Sequence, residues 1–323
     1  MTPVDVVLIG RNEGDRLIAS LASLKGTARR VVYVDSGSID GSAAAALEAG
    51  AEIVDLDTSV PFTAARARNA GFEALNASGP EPEFVQFIDG DCSVVASWIE
   101  TGREHLEGHP ELGLVTGWRS EIHRDVSVYN QLCDFEWHRP AGKILACGGD
   151  MMVRADAFCQ VGGFDPTVIA AEDDEFCTRL RKAGWELERI PYDMTRHDAA
   201  MTRFGQWWQR AVRSGHGFAQ VGHLHPEYFV TERRRVLISG LVLPLVAVLG
   251  AFFSLWVPLL VLAAYGLSYL RTLRGMVKAG LKRREARSHA MLLTLSKFPN
   301  VIGMAIFHWR QLRRAQMRII EYK

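Results

Sequence analysis

The chain has 323 residues, 48% of them hydrophobic, which suffices for one large domain or two small ones and excludes disorder as its main state. Its 37 Lys and Arg balance 37 Asp and Glu, yet 16 of the basic and only 3 of the acidic side chains follow Val230, so formal neutrality hides an acidic part of −13 joined to a basic tail of +13. The cysteines, Cys92, Cys133, Cys147, Cys159 and Cys177, form no CxxC pair or zinc-like cluster, which predicts free thiols in a reducing compartment.

Met1 leads straight into an apolar run, so no signal peptide is expected. Val4 to Gly10 is nearly unbroken in its apolar character and is followed by a polar corner and a helical pattern through Leu17, Leu21 and Leu24: a buried strand, then a helix. Arg30 to Asp35 repeats the arrangement before a Ser-Gly corner and the helical segment Ala43 to Ala49. Glu52 to Leu56 is a third strand, Ala64 to Leu75 a helix, and Phe84 to Ile88 a fourth strand. This alternation predicts an α/β fold, a mostly parallel sheet with helices on both faces. Ligands of such sheets gather beyond the carboxyl ends of the strands, so Arg11-Asn12-Glu13, Asp35 and Asp89-Gly90-Asp91 should line one crevice.

The clearest break in composition comes after Val230. Val236 to Leu270 holds no charged residue and is bracketed by Arg233, Arg234 and Arg235 and by Arg271 and Arg274. The run is too long for one ordinary span of roughly 20 residues and short for two. Basic clusters at both ends predict a tight helical hairpin turning near Ser254 to Pro258, both ends facing the cytoplasm; a single crossing kinked at Pro244 is the competing arrangement. The apolar stretch His289 to Trp309 is interrupted by Lys297 and Pro299 and reads as interfacial helices, with Arg310, Arg313, Arg314 and Arg318 near anionic head groups. A basic helix packed on the protein's own domain is the alternative. No aromatic-interleaved basic motif accompanies the tail, so nucleic acid is not an expected partner.

Neither GxGxxG nor GxxxxGK[ST] occurs at the first strand-to-helix corner, so a bound nucleotide must be held otherwise. Asp89-Gly90-Asp91 stands where the strand Phe84 to Ile88 emerges, and hard oxygen ligands there suit Mg²⁺ or Mn²⁺ bridging a diphosphate. A second acidic site, Glu172-Asp173-Asp174-Glu175, opens a helix after the turn at Asp165-Pro166. Four adjacent carboxylates exceed what helix capping needs, and at most two can face a cleft, which leaves a candidate general base.

Read in order, these segments resemble the family 2 glycosyltransferases over about residues 4 to 215. The resemblance rests on Val6 to Leu17, on Val34-Asp35-Ser36-Gly37-Ser38-Ile39-Asp40-Gly41-Ser42, on Ala65-Arg66-Ala67-Arg68-Asn69-Ala70-Gly71 and on the DxD triplet. Gly149 to Arg154, Gly162-Gly163-Phe164-Asp165 and Glu172-Asp173 complete the series. It implies the GT-A fold over residues 1–230, followed by a helical membrane-associated tail over 231–323. It also implies roles: Asn12, Glu13, Asp35, Arg68 and Asp89 toward the nucleotide, Asp91 with Asp89 toward the metal, His197 as a further metal ligand, and Asp173 as the base, with Asp174 the second choice. Glu172, Gly149, Asp150, Trp207 and Arg210 fall to the acceptor or the diphosphate. Ser36 departs from the family's second Asp. Gln206-Trp207-Trp208-Gln209-Arg210 is out of register with the Q-x-x-R-W signature of processive members, which argues for addition of a single sugar.

The expectation is therefore an inverting, metal-dependent glycosyltransferase using Mg²⁺ or Mn²⁺ and a nucleotide-diphosphate sugar, a UDP-sugar as first choice. It would sit at the inner (cytoplasmic) membrane, facing the cytoplasm, with a membrane-associated or lipid-linked glycan as acceptor. Competing readings are a nucleotidyltransferase on a similar sheet and a non-catalytic membrane scaffold.

Overall fold

The computed structural model describes residues 2–321. It divides into two compact units, Met1–His123 with Cys133–Ala199, and Arg124–Leu132 with Ala200–Lys323. The first begins with β1 (Val4–Gly10), α1 (Asp15–Leu24), β2 (Arg30–Asp35), α2 (Ser42–Glu48), β3 (Glu52–Asp55), α3 (Ala64–Ser78) and β4 (Phe84–Asp89). Then follow β5 (Cys92–Val94), α4 (Trp98–Gly108), β6 (Leu112–Glu121), α5 (Val128–Trp137, whose residues up to Leu132 fall in the second unit), β7 (Gly142–Lys143) and β8 (Met151–Arg154). The unit ends with α6 (Ala155–Gln160), α7 (Glu172–Lys182) and β9 (Glu186–His197).

The sheet runs β3-β2-β1-β4-β8-β6-β9-β5, with β7 paired to β9. The four strands read from the sequence are parallel, as expected, whereas the other half is mixed. There β8 is antiparallel to both β4 and β6, β6 and β9 are parallel, and β5 and β7 are antiparallel to β9. Helices cover both faces, so β1 is buried along nearly its whole length and reads as continuous apolar sequence. Val7, Val34, Phe72, Phe87, Phe158 and Phe176 fill one layer, and Val6, Leu8, Tyr33, Phe84 and Trp98 the other. Register sets Gly10 beside Asp35 and Ile9 beside Asp89, so the corners after β1, β2 and β4 share one edge of the sheet.

At the opposite end of β1, the buried Asp5 carboxylate is clasped by Arg29 and by Arg30, whose Nη2 lies 3.0 Å from Oδ2. Burial alone would raise this carboxyl, but the hydrogen bonds from the two guanidiniums outweigh it and hold the pKa below the usual value. The pair thus stabilises the fold above the ordinary carboxylate pKa, and that contribution fades as pH falls through the depressed one. Asp5→Ala leaves two cations without their partner and is expected to cost about 3 kcal/mol at pH 7. Unfolding curves for both proteins at pH 7 check this; coincident midpoints would refute it.

The second unit is helical: α8 (Phe204–Leu224), α9 (Val230–Leu237), α10 (Leu243–Ala251), α11 (Trp256–Lys278), α12 (Arg283–Leu295) and α13 (Lys297–Leu312). Helices α8 and α13 approach backbone to backbone, because a Cβ on Gly215 would strike Asn300 and one on Gly303 would strike Val212. Asn300 Nδ2 donates to the Ala211 carbonyl at 2.8 Å across this crossing. That packing places α8 in the second unit, about thirty residues before the break in composition. Three helical stretches, Val230–Ala251, Trp256–Lys278 and Arg283–Leu312, are long and apolar enough to cross a membrane. The first two form a hairpin, tied by the Tyr265 hydroxyl donating to the Ser239 carbonyl and turning at Phe252–Leu255. Phe252 and Phe253 are 83% and 90% exposed at this turn.

Candidate active site

The corners at the shared sheet edge hold one another. Asp35 Oδ2 accepts from the backbone N–H groups of Gly37 at 3.0 Å and Ser38 at 2.7 Å, and Oδ1 accepts from the Tyr33 hydroxyl at 3.0 Å. The Asn12 N–H donates to Ser38 Oγ at 2.9 Å, and Asn12 Oδ1 accepts from the Ile39 N–H at 2.8 Å. Asn12 takes a left-handed backbone (φ 56°), which Asn tolerates better than most residues. Glu13 pairs with Arg16 at 2.8 Å. Asp35 is buried and shapes this loop; Asn12 is exposed beside it.

Behind the loop, Arg68 joins the two acidic sites. Its Nη2 donates to Asp89 Oδ1 at 2.7 Å and its Nη1 to Glu172 Oε1 at 2.9 Å, with the side chain 2% exposed. Burial by itself lowers the guanidinium pKa, but the charges of Asp89 and Glu172 outweigh this and raise it. A Cβ on Gly149 would collide with this guanidinium and lie 3.2 Å from Asp89 Oδ2, so the glycine is what lets the β8 approach pass over the pair. Asp150 lies deeper: Oδ1 accepts from the Asp89 N–H at 3.2 Å, while Oδ2 accepts from the Thr195 hydroxyl at 2.7 Å and pairs with Arg119 at 2.9 Å. Arg119 reaches to 3.9 Å from Asp89 Oδ2 and lies 5.4 Å from the Trp137 ring. The expected nucleotide, acceptor or diphosphate contacts Arg68, Glu172, Gly149 and Asp150 thus form the frame that aims Asp89.

Asp91 faces the other way along the edge strands. Its Oδ1 lies 3.2 Å from His197 Nε2, and ligand atoms of Asp91, Cys92 and His197 all fall within 4.8 Å of one another. His197 is buried; burial lowers its pKa, but the Asp91 charge, the Nε2 contact with Asp91 and the neighbouring Glu121 carboxylate raise it overall. The Cys92 thiol is held neutral by burial and donates to Asp91 Oδ1 at 3.6 Å. A carboxylate and an imidazole converging in this way offer part of the shell of a divalent cation.

The helix carrying the second acidic site starts abruptly. Ala171 takes a left-handed backbone (φ 58°), a conformation in which an L-residue stores strain, and α7 begins at the next residue. Glu172 is committed to Arg68, and Glu175 binds Arg179 Nε and Nη2, each at 2.7 Å. Asp173 stays partly exposed; its Oδ1 accepts from the Asp174 N–H at 2.9 Å. Burial, then the charges of Glu172 and Asp174, push its pKa well above the usual carboxylate value. A partly exposed carboxyl with a raised pKa is a stronger base than an ordinary carboxylate, which suits it to accept a proton. Asp174 is also partly exposed.

Trp207 and Arg210 lie on α8 in the second unit. Trp207 is buried and packs with Phe204, Trp208 and Tyr129, a packing role rather than a free platform, and Arg210 is half-buried. Arg119, Glu121 and Thr195 belong to the site's frame although no motif marks them. Arg119 and Glu121, two apart at the end of β6, fall on one face of the strand, whereas Thr195 on β9 carries no local signal.

The description "Glycosyl transferase family 2" matches residues 5–154, and "Glycosyl transferase family group 2" matches residues 84–306, about two thirds of the chain. The chain belongs to the family 2 glycosyl transferases. It is similar to the pre-mycofactocin glycosyltransferase of Mycobacterium tuberculosis, 27% identical over 317 residues, covering 94% of this chain and 61% of that one. Glycosyltransferase AglE of Haloferax volcanii is 27% identical over 202 residues, 59% of this chain and 63% of its own. The chain therefore spans less than two thirds of the length of these curated relatives. Among solved structures, mannosyltransferase PcManGT of Pyrobaculum calidifontis superposes with TM-score 0.60 at 18% identity, covering 96% of this chain and 88% of that one. Residues 1–349 of S. aureus TarS give TM-score 0.51 at 16% identity, covering 96% and 92%. These likenesses establish the GT-A glycosyltransferase fold for this family 2 member.

Proposed function

We propose that this family 2 member moves one sugar from a nucleotide-diphosphate donor to a hydroxyl of a membrane-associated or lipid-linked glycan, with inversion at the anomeric carbon. The observation that carries this is the buried Arg68, which ties Asp89 of the DxD triplet to the Glu172-Asp173 turn, so that donor-side and acceptor-side carboxylates belong to one rigid frame. Asp173 accepts the proton of the acceptor hydroxyl, and that oxygen bonds to the anomeric carbon from the side opposite the departing diphosphate. Proton, new C–O bond and broken C–O bond then balance in one displacement. Asp174, next in the chain, is the second choice for the base.

Asp91 and His197, with Asp89 nearby, would hold Mg²⁺ or Mn²⁺, which when bound offsets the charge gathering on the leaving diphosphate. In support, the PcManGT structure is a complex with GDP-Man and Mn²⁺, and one TarS structure is a complex with UDP. Asn12, Glu13 and the loop shaped by Asp35 lie at the edge where a nucleotide would bind, with a UDP-sugar the first choice. The three apolar helices and their flanking arginines support attachment to the inner membrane with the catalytic unit toward the cytoplasm, where the tail would hold the enzyme beside its acceptor.

The test is direct. The full chain, in vesicles containing anionic lipid and a polyprenyl-phosphate-linked glycan, is supplied with UDP- and GDP-sugars and Mn²⁺. Release of nucleoside diphosphate with an inverted glycosidic linkage is expected; pyrophosphate release would point to nucleotidyl transfer, and a retained linkage would refute the single displacement.

A further inference from the structure

We infer that Glu121 is the positioning residue for His197, fixing the imidazole with its proton on Nδ1 so that the Nε2 lone pair is presented toward Asp91 and the cation; this rests on the metal reading above. Strand β9 lies between β6 and β5, and pairing sets His197 directly opposite Glu121 on one side and Cys92 on the other. The register thus makes Glu121 a lateral neighbour of His197 at the level of Asp91. His197 Nε2 is 3.2 Å from Asp91 Oδ1, and Nδ1 is 3.8 Å from Glu121 Oε2. Nδ1 is buried without a hydrogen-bond partner, so a donor left there would carry a desolvation cost.

The carboxylate beside it cannot swing away. Glu121 has a fully buried side chain, Oε1 accepts from the His123 N–H and Oε2 from the Ala199 N–H, both at 2.9 Å. The Trp137 ring stands edge-on to His197 at a centroid distance of 4.5 Å and limits rotation on that flank. Less than 1 Å of motion of the imidazole toward Oε2 completes an Nδ1–H to carboxylate hydrogen bond. A neutral imidazole has one N–H, so a proton held on Nδ1 leaves Nε2 as an acceptor. Carboxylates that hold the second nitrogen of a metal-binding histidine in this way typically contribute 10- to 100-fold to metal affinity.

The experiment uses the full chain in detergent and Mn²⁺ alone as the probe, with binding followed by electron paramagnetic resonance. Glu121→Gln, which keeps shape and an acceptor oxygen but loses the charge, is expected to weaken Mn²⁺ binding about 10-fold or more. Added to His197→Gln it should cause no further loss, because its effect passes through that ring. Should Glu121→Gln fail to fold, the wild-type protein labelled with ¹⁵N-histidine and loaded with Mg²⁺ gives an independent answer, the His197 ring proton on Nδ1. Unchanged Mn²⁺ affinity in Glu121→Gln, additive losses in the double variant, or a proton on Nε2 would each overturn the inference while leaving the metal reading intact. Wild-type protein that binds no Mn²⁺, or binding untouched by His197→Gln and Asp91→Asn, would instead sink the metal reading and this inference with it.

Discussion

Asp173→Asn is expected to lower sugar transfer by about 10²- to 10⁴-fold while raising the melting temperature at pH 7. The two effects have one origin. The Asp173 carboxyl sits among neighbours that disfavour its charge: burial first, then Glu172 and Asp174, with Arg68 and the Asp174 N–H opposing. Its pKa in the folded protein therefore exceeds that in the unfolded chain, and between the two values the folded state binds the extra proton. Stability contributed at this position falls as pH rises through that window, so at neutral pH this position costs the fold stability. Asparagine removes the cost and the base together. Transfer by the unmodified enzyme should correspondingly rise with pH through the raised pKa, as the carboxylate able to accept a proton appears. Transfer rates across pH and melting curves at pH 4 and pH 7 check both halves, and the melting gain should shrink at the lower pH. An asparagine variant that keeps its rate would transfer the base to Asp174; one that melts lower would contradict the electrostatic account.

The parallel half of the sheet was legible because each strand there is a short apolar run ending in a polar corner, and each partner follows after one helix. The antiparallel half was not, since β8 pairs with β4 and β6 across long separations that leave no local period. The same limit applied within the site. Asp89, Asp91 and Asp173 were visible as motifs, but that Arg68 would face protein carboxylates rather than solvent depends on α3 riding close over β1. Gly71 permits that approach, since a Cβ there would meet the Val7 side chain. Glu121 was passed over because a charge after an apolar strand reads as the strand's end; only the β6–β9 register shows what it faces.

Arg68→Met should be the most damaging change to the frame, destabilising the protein by about 3–5 kcal/mol and reducing transfer to background. Methionine fills the aliphatic part of the space yet leaves Asp89 and Glu172 drawn toward a site with no cation. Glu172 is buried and loses its cation, while Asp89, 30% exposed, keeps only the distant Arg119 at 3.9 Å. Glu172 without its partner must swing toward solvent or take up a proton, and Asp89 loses the contact that aims it, so the start of α7 and the DxD corner both shift. Arg68→Lys keeps the charge but replaces a planar fork by a single ammonium, which cannot reproduce two hydrogen bonds of 2.7 and 2.9 Å from separate nitrogens; it should fold better than the methionine variant and still transfer poorly. Adding Glu172→Gln to Arg68→Met removes one stranded charge and should restore part of the stability without restoring transfer, because Asp89 stays unaimed. Melting and transfer measured on the three variants separate these contributions. Equal melting temperatures for wild type and Arg68→Met would mean that the bridge between the acidic sites does not hold the frame together, and the coupling of donor-side to acceptor-side carboxylates would lose its physical basis.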